Sequence, residues 1–417
     1  MASPILLVNL SGVDSADITS TVLELLAPHG ARVLDIGQSI IHAELNLGVL
    51  LQLPAGTDAA RVAEAMHNTL AAALRNRQIT LHITPVSARR HAQWLDEQAQ
   101  PRHIVTLLAR RITTVHLGKV AAIVAAQNLQ IHNVTQLSGR GTLDADERAE
   151  ALVESKNGHA IVEMGLRGAL GDQQALRRSL MAIARTDAVD VAVQADDVYR
   201  RNRRLVAFDM DSTLIQGEVI DELAAAHGVG AEVAAITAAA MRGELDFQQS
   251  FRRRVALLAG ASVELLHRVA DSVELSEGAE RLVRTLRRHG YRTAILSGGF
   301  QDVGERLRAR LGIDVVHANR LETRDGKFTG GVIGEVIDGQ RKAALLRELV
   351  TREGLTLAQS IAVGDGANDI PMLSVAGLGI AYRAKPVVAD SADHAISHLG
   401  LDAILYLIGF TERDLLD

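Results

Sequence analysis

The apolar run at residues 205–208, Leu-Val-Ala-Phe, passes without a break into Asp209-Met-Asp211, and Ser212 and Thr213 follow. A short uninterrupted apolar segment reads as a strand buried on both faces, the kind a parallel sheet requires. Two carboxylates at its carboxyl end stand where open α/β sheets keep their ligands. Packing gives no reason for either acid. D-x-D alone is common on surfaces and in loops; its place directly after a buried strand gives it weight.

From residue 203 onward strands alternate with helices, the pattern of an α/β doubly wound parallel sheet. A second predicted strand, 291–296, opens on Ser297-Gly-Gly-Phe300. A third, 360–363, opens on Gly364-Asp-Gly-Ala-Asn-Asp369, and a shorter fourth spans 379–382. Three successive strand ends therefore carry D-x-D-S-T, S-G-G and G-D-G-x-N-D. That series suits phosphoryl transfer. A carboxylate can attack phosphorus and split one hard hydrolysis into two easier steps. A second acid can protonate the leaving oxygen and later activate water. Ser297 with the amides of Gly298 and Gly299 can cradle phosphate oxygens, and Lys342 can supply a point charge. The carboxylates of Asp209, Asp365 and Asp369, in a chain with no cysteine and no apposed histidine, favour a hard ion of the Mg²⁺ type. No P-loop is present, and Ser297 lacks a G-x-S-x-G elbow.

A helical insert at about 217–275 separates the first two motifs. On a helix, Phe247, Phe251, Arg254 and Leu258 share one face, so Arg254 is a cation at the edge of an apolar stripe and needs a partner. Arg252 and Arg253 point elsewhere. Glu218, read alone, is a first-turn helix acid favoured by the macrodipole. His227, His267, His289 and His317 lack ligand spacing and read as surface or partly buried residues.

The first half reads differently. Strand 4–10, a helix ending near 27, β-rich segments 32–41 and 43–53, helix 58–76 and strand 79–86 give the order βαββαβ, a ferredoxin-like α+β sandwich. The order recurs as strand 104–109, helix 114–128, strand 129–137, polar connection 138–157, strand 159–164, helix 173–184 and strand 188–193. Residues 87–102 join the copies. The expected domains are therefore 1–88, 102–198 and 203–417, with the insert as a cap on the last. At 417 residues two or three domains are the prior. A net charge of −6 gives no basic field for nucleic acid or an anionic membrane, and 3% aromatics argue against a base-stacking surface. The absence of cysteine, of a signal-peptide pattern and of a long apolar span points to a cytoplasmic protein.

The motifs Asp209-Met-Asp211-Ser-Thr213, Ser297-Gly-Gly299, Lys342 and Gly364-Asp-Gly-Ala-Asn-Asp369 resemble those of the haloacid-dehalogenase-like aspartyl phosphatases. Gln216-Gly-Glu-Val-Ile-Asp-Glu222, Ala240-Met-Arg-Gly-Glu-Leu-Asp-Phe247 and Arg252-Arg-Arg254 narrow the resemblance to the phosphoserine phosphatase family, from about residue 203 to the C-terminus. The resemblance implies Mg²⁺-dependent hydrolysis of O-phospho-L-serine through an aspartyl phosphate, the last step of serine biosynthesis. It makes Asp209 the nucleophile and a metal ligand. Asp211 becomes the general acid/base, with its main-chain carbonyl on the metal. Ser297, Gly298 and Lys342 would bind phosphate, Asp365 would ligate Mg²⁺, Asn368 would orient the phosphate or its water, and Asp369 would stand behind them. In the cap, Glu218 would face the substrate ammonium, Arg254 its carboxylate, and Met241 and Phe247 would wall the pocket.

Two alternatives stay open. One is a related phosphatase or phosphotransferase acting on another small phosphorylated metabolite; the other is an amino-acid-sensing regulator with an inactive phosphatase half. The tandem modules resemble ACT domains, in a layout similar to that of actinobacterial, including mycobacterial, members. That resemblance implies a homodimer through these modules, with serine as a candidate effector at Asp14. The loop at 11–17, however, carries Asp17 where the family often has glycine, and 110–114 has neither acid nor glycine. The competing reading is that the modules only build a dimer interface. Asp14 and Asp17 would then be helix-capping residues.

Overall fold

A computed structural model describes residues 3–138 and 158–415. The chain divides into two compact units, residues 1–100 and 101–417.

The first unit holds β1 (Ile5–Val13), α1 (Ile18–Leu26), β2 (Arg32–Ile41), β3 (Glu44–Gln52), α2 (Ala59–Ala73) and β4 (Ile79–Val86). Its antiparallel sheet has the order β2-β3-β1-β4. Leu6, Val8 and Leu10 alternate inward along β1 and meet Val22 of α1 and Leu70 of α2, as a sheet with helices on one face demands. The segment read as a plain joint is instead a helix, α3 (Ala88–Gln98), started by Ser87, whose hydroxyl accepts from the Arg90 amide at 3.2 Å. None of its residues is buried, so the apolar stripe that marks most helices is missing. Asp17 does not cap α1. It pairs with Arg77 at 2.6 Å, and the hydrogen bond from that guanidinium holds its carboxyl well below the usual range.

The second unit opens with the same topology: β5 (Arg102–Ala109), α4 (Thr114–Ala126), β6 (Gln130–Gln136), β7 (Ala160–Arg167), α5 (Gln173–Asp187) and β8 (Asp190–Ala195), in the order β6-β7-β5-β8. The polar connection read at 138–157 lies, beyond Ser138, outside the described residues. Leu108, Ile161 and Ala192 of this module share one apolar cluster with Tyr406 and Leu407 near the chain's end. The module is thus packed onto the C-terminal part of the same unit.

That C-terminal part begins with β9 (Leu205–Phe208), α6 (Val219–His227), α7 (Gly230–Met241), α8 (Phe247–Leu257), α9 (Val263–Ser272), α10 (Ala279–Arg288), β10 (Arg292–Phe300) and α11 (Gln301–Leu311). Then come β11 (Val315–Arg324), β12 (Lys327–Ile333), α12 (Gly339–Arg352), β13 (Ser360–Gly364), α13 (Ile370–Val375), β14 (Leu378–Tyr382), α14 (Pro386–Ser391), β15 (His394–Ile396) and α15 (Ile404–Leu407). The sheet order is β12-β11-β10-β9-β13-β14-β15, parallel except for the β11–β12 pair. β9 is central. Leu205 and Ala207 enter one core, Val206 and Phe208 the other, which is why its sequence is apolar throughout. The strands β11, β12 and β15 are additional to those read from the sequence. Among the described residues no helix is long and apolar enough to cross a membrane.

Candidate active site

β10 and β13 flank β9 on either side in parallel register, so their carboxyl ends and motifs converge. Beyond Asp209 the chain turns sharply, with Ser212 at φ +56°, a left-handed conformation costly for a residue other than glycine. The turn brings the Ser212 amide to the Gly217 carbonyl at 2.9 Å. It also swings Asp211 back, so that its Oδ1 accepts from the Val219 amide at the start of α6, 3.0 Å away. Burial pushes the Asp211 carboxyl far above the usual range, and the negative charges of Glu218 and Asp209 add to it. An acid whose hold on its proton is strengthened, set close to a second carboxyl group, suits proton transfer.

Lys342 is completely buried. α12, which Asp338 caps through the Arg341 amide at 2.9 Å, delivers its ammonium between Asp209 Oδ1 at 2.8 Å and Asp369 Oδ1 at 2.6 Å. Burial alone would lower the lysine pKa, but the two carboxylates outweigh it and hold the group charged. Asp209 Oδ1 also accepts from the Met210 amide at 2.7 Å, which leaves the other oxygen for chemistry.

Carboxylate oxygens of Asp209, Asp365 and Asp369 lie within 4.8 Å of one another. Asp365 is pushed up to about 7, by burial first and the charge of Asp209 second, and Asp369 is raised for the same reasons. Three crowded acids facing one lysine are short of positive charge, and an all-oxygen donor set suits a hard divalent ion. Asp369 has both oxygens engaged, Oδ1 by Lys342 and Oδ2 by the Gly366 amide at 3.0 Å. Asp365 Oδ1 takes the Thr213 hydroxyl at 2.9 Å.

The Ser297 hydroxyl, buried, accepts from the Gly299 amide at 2.9 Å. A Cβ on Gly298 would lie 2.7 Å from Phe247 Cζ, and one on Gly299 would strike Asp211 Oδ2. Only glycines let the loop lie this close to the acid on one side and α8 on the other. Phe247 stacks on Phe251 at 6.2 Å. Glu218 accepts from the Ser212 hydroxyl at 3.1 Å; its surface stays open to solvent, yet the surrounding protein and the Asp209 charge push its carboxyl up. Arg254 is largely enclosed, which lowers its pKa against the pull of Glu218, and its buried Nε finds no acceptor among the described residues. Arg252 and Arg253 are exposed. Met241, expected on the pocket wall, is 66% exposed. Asn368 sits over Gly366, whose Cβ would meet its Oδ1.

Three contributors escaped the sequence reading. Asn319 on β11 donates to the Gly298 carbonyl and accepts from the Ile337 amide, both at 2.8 Å, fixing the glycine loop. Gln248 of α8 donates to Asp338 at 2.8 Å, joining the helical insert to the lysine helix. Thr213 lies inside the D-x-D-S-T motif and was within reach of the sequence; the other two have no local signal.

This fold and acid cluster define a phosphoryl-transfer hydrolase core. Residues 206–374 match the haloacid dehalogenase-like hydrolase family, and residues 4–84 match the ACT domain. The chain is 39% identical over 410 residues to phosphoserine phosphatase SerB2 of Mycobacterium tuberculosis, covering 98% of this chain and 94% of that protein. It is 37% identical over 417 residues to phosphoserine phosphatase of Streptomyces coelicolor, covering 99% and 93%. Among solved structures, a probable phosphoserine phosphatase from Vibrio cholerae aligns with TM-score 0.56 and 31% identity over 73% of this chain and 86% of that one. The chain belongs to the phosphoserine phosphatase family of haloacid dehalogenase-like hydrolases.

Proposed function

We propose that the protein is a phosphoserine phosphatase, hydrolysing O-phospho-L-serine to L-serine and phosphate as the final step of serine biosynthesis. The single observation carrying this reading is the Asp209 side chain gripped by buried Lys342, with Asp211 two residues on and its carboxyl raised by burial. The free oxygen of Asp209 attacks phosphorus while the bond from phosphorus to the serine oxygen breaks. Asp211 gives its proton to that oxygen, and serine leaves. Asp211, now a base, takes a proton from water as the water attacks the aspartyl phosphate; phosphate departs and Asp209 is restored. Ser297, the Gly298 backbone and Lys342 hold the phosphoryl oxygens, and Asn368 orients them. The charge-starved cluster fits a divalent cation: Asp209, Asp211 through its main-chain carbonyl, and Asp365 would hold Mg²⁺, with Asp369 bracing Lys342 behind them. When bound, the ion neutralises charge that the acids and the phosphate share.

Glu218 and Arg254 read the ammonium and carboxylate of the amino acid. The unmatched Nε of Arg254 supports this, because a carboxylate supplies the acceptor it lacks. Phe247 closes the side of the pocket. Residues 217–275 serve as the cap, 203–417 as the catalytic domain, and 1–88 and 102–198 as ACT modules. The apolar residues Val33, Ile36, Ile40 and Ile41 exposed on edge strand β2 suit a homodimer built through the first module. Asp14 is left as the acid for an effector serine, since Arg77 occupies Asp17. The protein works in the cytoplasm.

Phosphate release from O-phospho-L-serine and from a panel of phosphorylated metabolites tests the substrate. The highest kcat/KM is expected for phosphoserine; a better substrate without an amino-acid backbone would overturn the role of Glu218 and Arg254.

A further inference from the structure

The second ferredoxin-like module is hydrogen-bonded to the C-terminal part of its unit as well as packed against it. Asp190 Oδ2 accepts from the amides of Ser397 at 2.8 Å and His398 at 3.0 Å, and Gln194 Nε2 donates to the Leu407 carbonyl at 3.0 Å. One more contact lies apart from these. The loop at 110–114, which has neither acid nor glycine, opens on Arg110, and the Arg110 guanidinium pairs with Glu277 Oε1.

Glu277 joins several segments. Its Oε2 accepts from Arg383 Nη2 at 2.6 Å, and its main-chain carbonyl accepts from the Leu401 amide at 2.7 Å. Arg383 follows directly on β14, the neighbour of β13, whose end leads into Asp365. Its φ of +45° is left-handed, a costly conformation for a residue other than glycine. The Glu277 carboxylate and the Ile396 carbonyl, which takes the Arg383 amide at 2.7 Å, hold it there. Burial works against the charge on Glu277, but the hydrogen bonds and charges of Arg110 and Arg383 prevail and keep its carboxyl below the ordinary value.

On its other side Glu277 continues a short antiparallel pairing with the catalytic turn. Ile215 faces Leu275. The Ser276 amide donates to the Leu214 carbonyl and the Gln216 amide to the Glu274 carbonyl, both at 2.9 Å. Gln216 Nε2 adds a bond to the Leu275 carbonyl at 3.1 Å. This pairing borders the turn that swings Asp211 back toward the Val219 amide and leads into Glu218. Backbone hydrogen bonds therefore pass any shift of Glu277 to the turn that aims Asp211.

We infer that Arg110 of the second module is a positioning residue for the catalytic turn, acting through Glu277 to keep Asp211 aligned with the oxygen it protonates. The module then serves turnover as a fixed strut, with no effector bound. The inference rests on the role proposed for Asp211. An ion pair as exposed as this one adds little to stability, so its loss leaves the fold in place and changes the alignment.

Hydrogen exchange by mass spectrometry and steady-state kinetics of the full chain test this, with kcat measured on whichever substrate the panel ranks first. Arg110→Ala should keep its melting temperature, speed amide exchange in peptides spanning 210–219, and lower kcat about tenfold, the scale of a small misalignment. The inhibition constant of inorganic phosphate should not change, because Ser297, Gly298 and Lys342 stand outside this chain of contacts; a general loosening of the site would raise it as well. Arg110→Lys should recover most of the lost kcat. Arg110→Ala/Glu277→Gln should be no slower than Glu277→Gln alone, since both act on one carboxylate. Exchange involves no catalytic step, so it decides the placement of the turn even if Asp211→Asn keeps full kcat and the role of Asp211 falls. The inference is overturned if exchange at 210–219 is unaltered, if Arg110→Ala turns over like the unmodified protein, if phosphate inhibition weakens in step with kcat, or if the two losses multiply in the double variant.

Discussion

Lys342 concentrates most of the site's electrostatics in one side chain. With no solvent and two carboxylates on it, removing the charge leaves Asp209 and Asp369 buried and unpaired. Lys342→Met is expected to cost about 3–5 kcal/mol in urea denaturation and to abolish phosphate release. Asp211→Asn keeps the shape but cannot deliver a proton. Its kcat should fall about 10²- to 10⁴-fold with an unchanged circular dichroism spectrum. Gly298→Ala places a methyl against Phe247, 2.7 Å from Cζ, so the ring must move. A raised KM is the expected result, partly relieved in the Gly298→Ala/Phe247→Ala double variant; an unaltered KM would remove the ring from the pocket wall.

At the scale of elements, the strands proposed to carry chemistry were legible as strands because each is a short apolar run ending in residues that packing does not require. Asp209, Ser297 and Asp365 each come at the end of such a run. The β11–β12 hairpin was not legible. Val315–Arg324 mixes charge with apolar residues at an antiparallel edge, so neither it nor Asn319 announces itself. The contact of Gln248 with Asp338 joins residues 90 apart in sequence, beyond any local pattern. α3 was lost for the opposite reason: it is a good helix that buries nothing. Asp338 caps α12 and meets α8, so Asp338→Ala should destabilise by about 1 kcal/mol through the cap alone. Thermal melts would measure that, and KM should rise with it as the helical insert loses its hold on the lysine helix.

Across the whole molecule, the second unit is one folded body in which a ferredoxin-like module and a parallel-sheet core share a cluster of apolar residues and a seam of buried polar ones. His394, on edge strand β15 at that seam, is buried and its pKa is driven down to about 3 by desolvation, with Arg177 and Arg203 adding to it. The unfolded chain takes up this proton near pH 6.5 and the native chain does not, so stability is fully present above that pH and falls as acid is added toward pH 3. Urea midpoints at pH 7 and pH 4.5 should therefore lie closer together in His394→Leu than in the unmodified protein; an equal gap would contradict this.

In the proposed mechanism Asp209 becomes phosphorylated by phosphoserine. Acid-quenching the enzyme during turnover of phosphate-labelled O-phospho-L-serine should trap label on the protein. That label should be released by hydroxylamine, as an acyl phosphate is, and be absent in Asp209→Asn. Turnover without any hydroxylamine-labile label, or equal labelling of Asp209→Asn, would rule out Asp209 as the nucleophile.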